Sequence, residues 1–110
     1  MKFSFPSDES LDQASRDEIM SHLFTGLVLQ HSQLAMMMLG RVADPDTGAT
    51  APKDLESAKM FIDLLEMLEF KTRGNLTPAD AALLKEHIEL TRDAFAKELD
   101  EHVEQTGGQD

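Results

Sequence analysis

The chain has no cysteine, no tryptophan and no tyrosine among its 110 residues. Without cysteine there is no disulfide framework, no thiol nucleophile and no Cys-based zinc site, a composition that suits a reducing cytoplasm, where the protein is expected to reside. Basic residues are also scarce: 10 Lys and Arg stand against 21 Asp and Glu, a formal charge of −11. Binding to a phosphate backbone needs a Lys/Arg stripe that displaces counterions, so nucleic acid is excluded as a partner, and an anionic membrane surface is disfavoured for the same reason. There is no glycine-rich phosphate loop, no G-x-S-x-G and no carboxylate pair in apolar surroundings. The expectation is therefore a protein that is not an enzyme and carries no cofactor.

One stretch lacks charge altogether. Ile19 to Gly40 contains no Lys, Arg, Asp or Glu. It is long enough to span a bilayer, but Ser21, His22, Thr25, Gln30, His31, Ser32 and Gln33 interrupt it, and no basic cluster flanks it, so no membrane span is expected. The N-terminal MKFSFPSDES lacks the apolar core of a signal peptide.

Residues 1–14 read as a flexible N-terminal lead and 105–110 as a disordered tail, around a single helical domain at 15–104. Ser15-Arg16-Asp17-Glu18 has the form of a capping box, which predicts a first helix over 16–39 with Gly40 just past its end. At 100° per residue, Phe24, Leu27, Val28, Leu34, Ala35, Met38 and Leu39 share a face far broader than an ordinary surface helix needs. Asp44-Pro45-Asp46-Thr47-Gly48 is turn chemistry; as a calcium loop it fails, since Leu55 stands where a bidentate Glu belongs. Asp54 can cap a second helix over 55–73. In Gly74-Asn75-Leu76-Thr77-Pro78, Gly74 ends that helix, Thr77 caps the next and Pro78 takes its first position. So short a link makes helices two (55–73) and three (78–104) an antiparallel hairpin. Along helix three, Ala81, Leu84, Ile88, Thr91, Phe95 and Leu99 form the expected stripe.

Ala35 to Gly40 (AMMMLG), the Asp44-Pro45 and Thr47-Gly48 turn, Leu55, Ala58-Lys59, Ile62-Asp63, Leu65 and Leu68, and above all Lys71-Thr72-Arg73-Gly74-Asn75-Leu76-Thr77, resemble the bacterial domain-of-unknown-function 1844 family over roughly residues 23 to 95. The resemblance implies a small helical bacterial protein and brings no catalytic residues. His31 and Gln30 depart from it, standing where the family is more apolar and small.

The expected fold class is all-α: a three-helix chain, one long apolar helix followed by an antiparallel helical hairpin, assembling into an oligomeric helical bundle. A two-helix hairpin can cover only one side of such a helix. The surplus predicts a homo-oligomer, most simply a dimer, whose interface comprises Phe24, Leu27, Val28, His31, Leu34, Ala35, Met38 and Leu39. His31 admits two readings: a pH-sensitive or ligand-contacting group at the interface, or, favoured, a histidine hydrogen-bonded to a backbone carbonyl or to a partner chain. The four histidines lack metal-ligand spacing, so no metal is expected. Met36-Met37-Met38 suits a core or self-interface better than a peptide groove. Lys71, Arg73 and Asn75 are left unexplained by capping and are candidates for a protein-partner contact. The leading function is a non-enzymatic, self-associating assembly or adaptor protein that binds a protein partner. The alternatives are a small-molecule or lipid-binding helical pocket lined by His31, Gln30 and Met38, and an enzyme whose site forms only across subunits.

Overall fold

The computed structural model describes residues 12–50 and 52–107, with side chains described from 15 to 50 and 52 to 101. Three helices occupy it: α1 (Asp12–Met38), α2 (Leu55–Thr72) and α3 (Pro78–Gly107), each in contact with the other two. No strand is present among the described residues.

α1 differs from its sequence expectation at its start. The chain is already helical at Asp12, so Ser15 lies inside the helix and does not cap it. Gln13 and Ala14 are good helix formers, so nothing in the local sequence stops the helix at Ser15. Residues 12–14 of the expected lead are thus helical; 1–11 lie outside the described residues. α1 is long, at 27 residues. It is not apolar throughout, however: Arg16, Asp17, Glu18, His22, Gln30 and Gln33 are exposed along it. No helix among the described residues is long and apolar enough to cross a membrane.

The end of α1 is a Schellman motif. Arg41 N–H donates to the Met36 carbonyl at 2.8 Å and Gly40 N–H to that of Met37 at 3.0 Å. This places Gly40 at φ +72°, a left-handed conformation in which a side chain is strained. Asp44 then organises the loop: its carboxylate accepts from the Asp46 and Thr47 amides, and its carbonyl from that of Gly48. The loop's end is tied back to α1 by Asp54 N–H, which donates to the Met38 carbonyl at 2.8 Å. Asp54 also caps α2, accepting from Ser57 N–H at 3.1 Å and Ser57 Oγ at 2.8 Å. Those two bonds, the backbone one first, hold its carboxyl below the usual aspartate value.

Between α2 and α3 the chain turns on Thr72-Arg73-Gly74-Asn75. Arg73 has φ −56°, ψ 128°, Gly74 has φ +82°, and Asn75 N–H donates to the Thr72 carbonyl at 2.9 Å. This is a type II turn, whose third position demands glycine. Thr77 Oγ1 then accepts from Asp80 N–H at 3.1 Å and caps α3. The helix runs to Gly107, three residues beyond the expected 104, so 105–107 are helical; 108–110 lie outside the described residues.

The core draws on all three helices: Val28 of α1, Leu65 of α2, and Leu84 and Ile88 of α3 form one cluster, with Phe24, Leu68, Leu76 and Leu83 packed around them, and Ala35, Leu39, Ala58 and Ile62 are buried as well. On α3 the expected stripe holds for Leu84, Ile88 and Thr91. It fails for Ala81 and Leu99, which are exposed, while Glu98 is buried at the position one turn from Phe95.

Two glycines separate backbone strain from helix propensity. Gly74→Ala has open space for its Cβ but must hold a left-handed conformation, so it should lower stability by about 1–2 kcal/mol. Gly26, inside α1, also has nothing within 4 Å; Gly26→Ala should raise stability by up to about 1 kcal/mol. Urea unfolding of both variants checks the opposite signs.

Candidate interaction surface

The residues expected at an oligomer interface divide into two sets. Val28, Ala35 and Leu39 are fully buried within the single chain. They pack against α2 and α3 and offer nothing to a partner, because the stripe 28, 32, 35, 39 is the one α1 turns inward. Phe24, His31, Leu34 and Met38 are half-buried, and Leu27 is 40% exposed. To these the structure adds Met20 and Leu23, 48% and 53% exposed, two turns and one turn before Leu27 on the same side. Across the seam, α2 presents Met60 and Met67, 52% and 45% exposed. They line a shallow groove of about 420 Å³ with Leu64, Glu56, Lys59 and Asp63.

His31 joins the two helices. Its ring meets Phe61 of α2 edge-on, with centroids 6.2 Å apart at 68°. Its Nδ1–H donates to the Leu27 carbonyl one turn back, at 2.9 Å. A carbonyl can only accept, so Nδ1 carries the proton, and this ring nitrogen is paired within the chain. Two clefts, the α2 groove and one at the α2–α3 turn, are lined by residues other than His31, Gln30 and Met38, the residues expected to line a ligand pocket.

Behind this face, polar ties connect α1 and its loop to α3. Ser21 Oγ donates to Asp80 Oδ2 at 2.8 Å. Ser32, buried on the inward stripe, shares a hydrogen bond with His87 Nδ1 at 2.8 Å. Buried Glu98 receives Arg41 at 2.8 Å and Lys53 at 2.9 Å, so both ends of the loop after α1 are anchored on α3. The Lys53 hydrogen bond, with the charges of both cations, holds the Glu98 carboxyl below the usual glutamate value despite burial. Spacing could have revealed Ser32, which continues Val28, Ala35 and Leu39. Glu98 carried no such signal, since its cations come from a loop.

Lys71, Arg73 and Asn75 are all exposed at the α2–α3 turn. The Arg73 guanidinium lies 5.5 Å from the centroid of Phe70, which at 65% is the most exposed large apolar side chain among the described residues. Arg73 also lines the turn cleft of about 240 Å³ with Glu69, Thr72, Gly74, Leu76, Ala81 and Leu84. Sequence reasoning missed Phe70, which follows no apolar stripe. Among the described residues no three His, Cys, Asp or Glu side chains gather as a metal site would require.

The geometry is that of a small all-α domain whose uncommitted features are apolar surfaces. The chain belongs to the family described as Domain of unknown function (DUF1844), whose model matches residues 21–97, well over half its length. No curated protein and no solved structure matches the chain.

Glu98 supplies a pH test. Its folded value lies below its unfolded one, so its stabilisation is complete above the ordinary value of 4.5 and is lost as pH falls below it. Glu98→Gln should cost about 1–3 kcal/mol at pH 7, since two cations lose their partner. It should also make the acid limb of a stability–pH curve shallower below about pH 4.5, with no change in slope between pH 8 and 5.

Proposed function

We propose that this protein is a non-enzymatic assembly or adaptor protein that works by self-association, most simply as a dimer, and by binding a protein partner. The observation that carries the reading is the apolar surface left over after folding. Met20, Leu23 and Leu27 of α1 and Met60 and Met67 of α2 are each at least 40% exposed. Together they present on the order of 400 Å² of apolar surface, within the range of the largest patches on soluble monomers, which are often functional. Half-buried Leu34, Met38 and Leu64 at its margin bring the face to at most about 600 Å², so the polar rim around it would supply the rest of the roughly 800 Å² per partner of a standard interface.

An antiparallel α2–α3 hairpin within an oligomeric bundle belongs to the same reading. It is supported by the type II turn and by the ion pair between Arg92 and Glu66 at 3.2 Å. A cytoplasmic location fits the cysteine-free composition. Lys71, Arg73 and Asn75, beside exposed Phe70, are the second contact surface of this reading, suited to a protein partner because Arg and aromatic side chains dominate binding energy at interfaces.

Leu23→Lys tests the function. Leu23 is more than half exposed, so the substitution should leave the helical circular dichroism unchanged. It should also convert the oligomer to monomer at low micromolar concentration in sedimentation velocity. An oligomer indifferent to it contradicts the reading.

A further inference from the structure

We propose that the contact between two copies is reciprocal: the α1 stripe Met20, Leu23, Leu27 of each copy packs into the Met60, Leu64, Met67 groove on α2 of the other. The inference rests on the self-association proposed above and names the surfaces that meet.

Three observations lead to it. First, the two stripes belong to one face. The His31–Phe61 ring contact sets α1 beside α2, and these rings lie one turn from Leu27 and from Leu64, respectively. A two-fold axis running along the helices of such a face brings α1 of one copy onto α2 of the other twice over, which is the self-complementarity an isologous dimer needs. Second, both stripes have helical spacing: 20, 23, 27 on α1 and 60, 64, 67 on α2. Ridges at three- and four-residue intervals pack into grooves of the same kind, as in four-helix bundles. Methionine at Met20, Met60 and Met67 lets the two surfaces adapt to each other.

Third, charge selects the pairing. Each copy carries −11, so most of its surface repels a second copy. α3 exposes Glu86, Glu89, Asp93, Asp100 and Glu101 against Lys85, Arg92 and Lys97. On the α2 groove, Lys59 and Asp63 neutralise each other at 3.0 Å, which leaves Glu56 as the unpaired charge. Packing α2 on α2 would set Glu56 of each copy towards the same acidic groove. α1 has no charged residue from Ile19 to Gly40. It can therefore cover the groove without opposing a carboxylate to Glu56. α1 on α1 is equally free of repulsion, but it would leave Met60 and Met67 in water.

The absence of cysteine makes the test clean. A Leu23→Cys chain carrying a mass tag is mixed with an untagged Met60→Cys or Met67→Cys chain and treated with a short bis-maleimide. Reciprocal packing predicts a mixed, one-tag product as the main species with at least one of the two partners. Met67→Lys, with unchanged helical content, should then raise the dissociation constant of the oligomer at least tenfold. A Leu23→Cys chain that cross-links only to itself overturns the reciprocal seam while leaving self-association intact. A dimer unaffected by Met67→Lys also overturns it. Monomeric mass throughout, with no cross-linking, overturns both this inference and the self-association beneath it.

Discussion

A helix flanked by two others can turn only part of its circumference inward, and in this protein α1 has more apolar circumference than two neighbours can use. Its inward stripe, Val28, Ser32, Ala35 and Leu39, is fully committed to α2 and α3. Met20, Leu23, Leu27 and Leu29 remain at the surface. A third neighbouring helix would be needed to cover Met20, Leu23 and Leu27, which share one side, and the described chain has none to offer. The rest of the molecule follows from this geometry: the core is small, Met and Leu side chains remain at the surface, and α1 carries no charged residue between Ile19 and its end.

The polar ties decide which arrangement of three helices is adopted. Apolar packing alone tolerates sliding and rotation, whereas a buried polar group is costly unless one particular partner is in place. Ser32 finds His87, and Glu98 finds Arg41 and Lys53. Ser21 and Asp80 add a third link nearer the start of α3. These contacts ascend together along α1, its loop and α3, so they set the register of one helix on the other. They also fasten the loop from Arg41 to Asp54, which is closed locally by Asp44 and docked at Met38.

Much of this was legible in the sequence where the signal is local. Gly40, Asp54, Gly74, Thr77 and Pro78 mark helix ends through backbone chemistry that involves only a few neighbouring residues, and three helices and family membership followed. The start of α1 was misjudged because a capping-box pattern is permissive: Ser15 and Glu18 fit equally well inside a helix. The expected interface mixed inward and outward residues, since periodicity identifies an apolar arc but not how much of it two neighbours cover. Val28, Ala35 and Leu39 proved internal, while Leu27 stayed exposed. Glu98 and the Ser32–His87 pair depend on residues dozens of positions apart, and no spacing rule links them.

The most direct measurement is the absolute mass of the unmodified protein, by light scattering behind a sizing column over a dilution series. The account predicts a mass of at least twice the 12.2 kDa chain that persists into low micromolar concentration. A mass of one chain at every concentration would contradict it and would leave the α1–α2 face to a different protein.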